Sequence, residues 1–587
     1  MRCGTALGLL AVLVLGCRGG AGTYHLAPAP ATLRHPPAGD VVGGEGRYGS
    51  YAWLGIPYAK PPTGRRRWRA PEPAERFAGL REALAFGAPC VQYGSRLGGA
   101  PGVPPGRVGG DEDCLTLNVW APRDATPASR LPVLVWIHGG GNTIGHAGLY
   151  DGGHLAAAEH LVVVTAQYRL GPFGWFAHPA LRADAADDAE RSGNFGTLDL
   201  VRALAWVRDD VAAFGGDPGN VTIAGESAGG LDVYTLLLAP QARGLFHRAI
   251  VESGGLWLDT AAVAEREHPQ ASREIVLRLL ERSGRARDRA DAEARLAAMR
   301  DDEIAAFLRA EPAREVLAAY VPWPTGMIDM PRAIADGRVL PADPLAALGS
   351  DGGWNRVPVL VGTNRDENKL FMYFDPRWVR KILWLVPRFV DEPRYEATAE
   401  YMARMWKAAS ADAPATAMSR VEPSVFVYRF DWHDEPTILG ADLSKMLGAA
   451  HALEIPFVFG HFDMGTEGNR LFTPANEPGR LALSRAMMSY WAAFARDGAP
   501  GRGTRGDLPA WDPWGDGRFL VLDTDGGGGI RMTSGAETRA GVLAALDHDP
   551  RLASPAHRCG AYREIAEFGR WLSREEYLRA GCADFPR

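Results

Sequence analysis

Apolar residues come in short unbroken runs along much of the chain: Val133–Ile137, Leu161–Thr165, Val221–Ala224, Ala249–Val251, Val359–Val361 and Val425–Tyr428. Runs of this length suit strands covered on both faces, the pattern of a parallel sheet. Between several of them the apolar spacing lengthens to the helical period, as in Leu198–Phe214 and in Leu231–Leu238, which Pro240 stops. The alternation predicts an α/β architecture, a large and mostly parallel central sheet flanked by helices. The stretch Ala262–Val316 differs, with Ala, Arg, Glu and Leu at helical spacing and no strand signal. It reads as a helical excursion from the sheet that forms a lid or the wall of a gorge. Tyr373–Phe389 carries Phe374, Trp378, Trp384 and Phe389. That aromatic segment fits two roles, a substrate-gorge wall or ordinary helix packing.

Ahead of Val41 the pattern changes. Arg2 precedes an apolar run, Ala6–Leu15. The run is too short for a bilayer, which takes about 20 residues, and has the size of a signal-peptide core. Two processing routes fit. One is a cut near Ala21, making residues 1–21 a signal peptide. The other is lipid attachment at Cys17, because Val14-Leu15-Gly16-Cys17 resembles a bacterial lipobox. Residues 22–40, rich in Pro, Ala and Gly, read as a tether, and residues 41–587 as one globular domain. The product is expected to be secreted, periplasmic or held at the cell surface.

Composition narrows the function. The 587 residues are 46% hydrophobic and 23% charged, enough for a sizeable core. The net charge of −6 is mild, and the one dense basic run, Arg65-Arg66-Arg67-Trp68-Arg69, reads as solvated surface. No nucleic-acid partner is expected. No later segment is long and apolar enough for a membrane helix, so membrane association is expected only through an N-terminal lipid. Cys3 and Cys17 belong to the signal region, leaving Cys90, Cys114, Cys559 and Cys582. Four cysteines allow three pairings. The two sequence-local pairs, Cys90–Cys114 and Cys559–Cys582, close the shortest loops, each contributing roughly 3 kcal/mol through the unfolded state. No C-x-x-C is present to seed a zinc site.

The chemistry centres on Gly225-Glu226-Ser227-Ala228-Gly229, between an apolar strand and a helical stretch. That context turns a common G-x-S-x-G string into a nucleophile elbow, a sharp turn that lifts the Ser227 hydroxyl out at the end of its strand. It also sets Ser227 at a helix N-terminus, where developing negative charge is favoured. A serine needs a base and donors for the oxyanion. His138-Gly139-Gly140-Gly141 follows the strand Val133–Ile137 directly, and its glycines leave backbone N–H groups free to approach a substrate oxygen. The oxyanion hole is therefore assigned to the backbone N–H groups of Gly140, Gly141 and Ala228.

With these motifs in place the sequence resembles the type-B carboxylesterases, the family that includes the cholinesterases and neuroligins. The likeness covers most of the chain after the signal. Trp53-Leu54-Gly55-Ile56-Pro57-Tyr58-Ala59 looks like the family's opening motif, and Glu112-Asp113-Cys114-Leu115-Thr116-Leu117-Asn118-Val119 like its E-D-C-L-x-L-N-V signature. Gly193-Asn194-Phe195-Gly196, Asp199, Phe214–Pro218, Phe246–Ile250 and Ser253-Gly254 extend it. The resemblance implies an α/β-hydrolase fold. It also implies that Glu367, in Asn364-Arg365-Asp366-Glu367, is the triad acid. His451, which opens His451-Ala452-Leu453-Glu454-Ile455-Pro456-Phe457, is implied as the triad base. Spacing alone leaves His433 and His461 open as bases. The resemblance further implies a Cys90–Cys114 bridge and offers no counterpart for Cys559 and Cys582.

Four positions depart from the family pattern. Asn368 stands where Gly is usual, and Asn tolerates positive φ. Asn142 replaces an aromatic or apolar residue, which is expected to make the oxyanion side more polar. Leu200 replaces Gln. Asp232 replaces Ser near the positive end of a helix, which is expected to favour its charge. The expected function is ester hydrolysis through an acyl-enzyme and a Ser-His-Glu triad, on neutral small or medium alkyl or aryl esters, with no metal or organic cofactor. The competing readings are an adhesion module of the same fold, which usually lacks the nucleophile, and a long-chain lipase. Choline esters are expected to be poor substrates, because the only aromatic residue between Cys90 and Cys114 is Tyr93.

Overall fold

The computed structural model describes residues 24–382, 386–464, 468–583 and 585. Residues 1–21, including Cys17, and Trp384 lie outside the described residues.

Eleven strands form one sheet. In chain order they are β1 (Gly44–Glu45), β2 (Ser50–Pro57), β3 (Thr116–Pro122), β4 (Leu131–Ile137), β5 (Val162–Ala166), β6 (Gly216–Glu226), β7 (Arg248–Glu252), β8 (Val359–Asn364), β9 (Val425–Phe430), β10 (Arg518–Leu522) and β11 (Arg531–Ser534). Their spatial order is β1-β2-β3-β5-β4-β6-β7-β8-β9-β10-β11. The block from β5 to β10 is parallel, and antiparallel strands flank it on both sides. The expected apolar runs all fall in this block. Alternate residues of one run feed opposite faces, as period 2 requires. Val133, Val135 and Ile137 enter one core, and Leu134 and Trp136 the other.

Helices cover both faces. They include α1 (Phe195–Asp210), α2 (Ala228–Leu238), α3 (Glu392–Lys407), α4 (Glu477–Asp497) and α5 (Pro555–Gly569). The excursion is helical as expected, running through Ser272–Arg282, Arg289–Ala298, Asp301–Ala310 and Ala313–Ala318. A third core gathers around α3 and includes Trp378, Tyr395, Trp406, Ile565, Trp571 and Tyr577. Both sequence-local disulfides are present, Cys90–Cys114 with Cα atoms 5.1 Å apart and Cys559–Cys582 with 5.4 Å. Among the described residues no helix is long and apolar enough to cross a membrane.

Two segments take a more definite form than the sequence reading gave them. The described part of the tether, from Tyr24 to Asp40, is packed against the sheet margin. His25 bridges Ala85, Arg34 bridges Val41, and Thr32 is fully buried with its carbonyl accepting from Trp53 Nε1 at 2.8 Å. A margin strand needs cover for its backbone groups, and these few residues supply it despite a tether-like composition. The aromatic segment after Tyr373 is mainly a hairpin, Val379–Ile382 with Val386–Phe389. Trp378 is buried against Tyr395, with the Arg394 guanidinium 4.8 Å from its ring, so it serves packing.

Candidate active site

Three strand ends bring the site together. β6 ends at Glu226, and the chain turns at Ser227 with φ 59° and ψ −120° before α2 begins. A positive φ at a non-glycine residue is strained and persists only where its surroundings enforce it. Here the Ser227 N–H donates to the Glu252 carbonyl at 2.9 Å, and its own carbonyl accepts from Leu231 N–H at 2.9 Å. The turn also needs bare neighbours. A Cβ on Gly229 would stand 2.1 Å from the Ile137 carbonyl oxygen.

Glu367 lies three residues beyond β8, fully buried. Its Oε1 accepts from the Asn364 N–H at 2.8 Å, and its Oε2 stands 2.6 Å from His451 Nδ1. In the neutral ring that contact favours the proton on Nδ1 and leaves Nε2 as the basic nitrogen. The His451 N–H also donates to the Glu367 carbonyl at 3.2 Å. The alternative histidines are elsewhere: His433 Nδ1 faces the Asp431 carbonyl, and His461 lies near Tyr48.

His451 Nε2 stands 3.1 Å from Glu226 Oε1, so the imidazole is held between two glutamates. Burial pulls its pKa down, but Glu226 and Glu367 outweigh this and raise it to about 9. Burial pushes Glu226 up; His451 opposes this and Glu454 adds to it. Burial also pushes Glu454 and Glu252 up. Ser253 Oγ donates to Glu454 Oε1 at 3.2 Å, and Trp491 Nε1 donates to Glu252 Oε1 at 2.7 Å. Buried carboxyls that raise one another in this way share protons rather than all ionising.

The glycine loop presses on the elbow. A Cβ on Gly139 would meet the Glu226 carbonyl oxygen at 2.8 Å and Ser227 Cβ at 3.1 Å. Gly140 and Gly141 take φ of 104° and 64°. Ala228 opens α2, so its N–H has no partner inside the helix. Rings surround the imidazole: Trp406 at 4.8 Å and Phe371 at 5.4 Å between centroids, with Phe568 from α5 at 4.9 Å from Phe371.

Two of the noted departures behave differently from expectation. Asn368 has φ −77°, so no left-handed position is needed there. Asp232 is fully buried, and burial pushes its carboxyl well above the usual range, so desolvation outweighs the helix terminus. The Asn142 side chain is turned inward onto Asp232, at 3.0 Å. The contact of Glu226 with His451 and the ring of Phe568 escape the sequence reading. Glu226 has a signal, its place inside the elbow motif, whereas Phe568 has none. Among the described residues no group of three or more His, Cys, Asp or Glu is placed to hold a metal ion.

The Carboxylesterase family model matches residues 36–383 and 386–530. A para-nitrobenzyl esterase of Bacillus subtilis is 35% identical over 479 residues, 78% of this chain and 88% of that protein. A cocaine esterase of Homo sapiens is 34% identical over 544 residues, 86% and 89% of the two chains. Among solved structures, a PNB esterase superposes with a TM-score of 0.64 at 32% identity, covering 86% of this chain and 97% of that one. A carboxylesterase of Geobacillus stearothermophilus gives 0.64 at 30% identity, with 86% and 98% covered. A match over most of the chain, on an eleven-stranded α/β-hydrolase sheet, means that this chain belongs to the carboxylesterase family and is a serine hydrolase of carboxylic esters.

Proposed function

We propose that Ser227 is the nucleophile, His451 the general base and acid, and Glu367 the carboxylate that orients the imidazole. The observation that carries this reading is the 2.6 Å contact between His451 Nδ1 and Glu367, at an imidazole whose Nε2 lies 3.1 Å from Glu226, the residue before Ser227. His451 Nε2 takes the Ser227 proton as Oγ attacks the ester carbonyl, and Glu367 stabilises the imidazolium. The N–H groups of Gly140, Gly141 and Ala228 hold the oxyanion. The protonated imidazole returns its proton to the leaving alcohol, and water then releases the acid by the same path. In the resting site Glu226 keeps Nε2 on the elbow side.

The substrates in this reading are neutral alkyl or aryl esters of small or medium size, because the imidazole is enclosed by Phe371, Trp406 and Phe568. Neither Tyr93 nor Trp378 offers a quaternary ammonium a free ring face. Tyr93 is buried with its hydroxyl donating to the Leu317 and Tyr320 carbonyls, and the Trp378 face is taken by Arg394. The protein works outside the reducing cytosol, where its two bridges are stable.

One experiment tests the reading. Nitrophenyl esters of increasing chain length, a para-nitrobenzyl ester, and acetylcholine beside 3,3-dimethylbutyl acetate are assayed on the native enzyme and on Ser227→Ala. The native enzyme is expected to prefer the shorter neutral esters and to show no preference for the charged one. An organophosphonate labels Ser227, and Ser227→Ala loses about 10⁶-fold in kcat. Full turnover by Ser227→Ala would remove the mechanism.

A further inference from the structure

The glycine loop has no side chains of its own with which to hold a shape, and glycine backbone is the most costly to order. Its ends are held instead. At the first end the Tyr168 hydroxyl donates to the His138 carbonyl at 2.6 Å, and the two rings stack at 4.5 Å. At the far end Asn142 takes φ 56°, a left-handed position that Asn accepts better than most residues. Its carbonyl accepts from the Gly171 N–H at 2.7 Å, and its Oδ1 lies 3.2 Å from the Tyr168 hydroxyl. Its Nδ2 donates to Asp232 Oδ1 at 3.0 Å.

Asp232 is in the second turn of α2, the helix whose first residue is Ala228. The Asn142–Asp232 bond therefore ties the loop bearing two oxyanion donors to the helix bearing the third. The two residues lie 90 positions apart in the chain, and the fold puts them in contact inside the core. We propose that Asp232 is a positioning residue for the oxyanion hole, acting through Asn142, in addition to the proposed roles of Ser227, Glu367 and His451 on which this inference rests. Asp232 touches no substrate in this scheme. It sets the distance between the loop donors and the Ala228 donor, on which stabilisation of the tetrahedral intermediate depends. Burial of its carboxyl is consistent with this role, because a water-free hydrogen bond resists competition from solvent.

The test compares Asp232→Ala, Asn142→Gly, the double variant and Asp232→Asn. Asn142→Gly keeps the positive φ available while removing the side chain. Each preparation is titrated with a phosphonate at Ser227, so that rates refer to folded, reactive sites. Asp232→Ala and Asn142→Gly are each expected to lower kcat about 10- to 100-fold, as a displacement of about 1 Å does, with KM little changed. Inhibition by a trifluoromethyl ketone, which mimics the oxyanion, should weaken by the factor lost from kcat/KM. The double variant should be no worse than either single one. Asp232→Asn, whose amide oxygen still accepts from Asn142, should recover most of the loss. Unchanged kcat and ketone affinity in Asp232→Ala would overturn the proposal, and so would losses that multiply in the double variant. If Asp232→Ala does not yield titratable protein, Asn142→Gly decides alone by the same criteria. Failure of the triad reading would look different, since Ser227→Ala would then retain turnover.

Discussion

Asp366 and Glu367 are neighbours in the chain with different surroundings. Glu367 turns inward to His451, whereas Asp366 pairs with Arg365 at 2.7 Å and Lys369 at 3.2 Å and accepts from the Ala449 N–H at 3.1 Å. Glu367→Gln should keep the melting temperature and lose roughly 10⁴-fold in kcat, because the imidazole loses its charged orienter. Asp366→Asn should do the reverse, costing about 2 kcal/mol of stability and little activity. A larger kcat loss for Asp366→Asn would move the acid by one residue. The same electrostatics governs pH dependence. The base must be neutral, so kcat/KM should rise with pH as His451 loses its proton, and the two glutamates place that rise near 9. Glu226→Gln removes one source of negative charge beside the ring, so the limb should move toward lower pH. A pH–rate profile in which the limb does not move would show that Glu226 leaves the imidazole unperturbed. At this scale the motifs around Ser227 and Glu367 are legible in the sequence because each follows a strand, whereas His451, far beyond the strand Val425–Phe430, is singled out only by the family resemblance. The protonation of the cluster is not legible, because it depends on burial shared by Glu226, Glu252 and Glu454 across separate segments.

Among the elements, the parallel strands are the most legible, since burial on both faces leaves continuous apolar runs such as Val162–Ala166. The margin is the least legible. The 24–40 segment gains its order from Trp53 and Val41, and nothing in its own periodicity announces them. The end of the chain is similar. α5 packs on α3 in a core of its own, and the Cys559–Cys582 bridge holds the following Arg574–Arg579 helix to it. The bridge closes a loop with a sequence separation of 23, a contribution of about 3 kcal/mol. Cys559→Ser with Cys582→Ser should therefore raise the rate of proteolytic cleavage within residues 536–583 about 100-fold while the sheet stays resistant. Cleavage that spreads over the whole chain at one rate would mean that this core is not a separate unit.

At the scale of the whole molecule, the sheet, its helices and the two bridges form a hydrolase suited to an oxidising compartment. The lipobox-like Val14-Leu15-Gly16-Cys17 makes anchoring at Cys17 a prediction. In a bacterial host the mature protein should partition with membranes and carry lipid at Cys17, and Cys17→Ser should release it or block processing. A mature N-terminus at Gly22 would support ordinary secretion instead. The third core gives the molecule one more property. Ser227 and Glu367 follow the ends of strands, whereas Phe568 arrives on α5, beyond residue 530 where the family match stops, and reaches the rings around His451. Phe568 packs on Phe371 and Trp406, the two rings that lie against His451, so the stapled end of the chain stands one layer of rings away from the imidazole. A far segment of sequence thereby shares the upkeep of a centre whose motifs all lie before it.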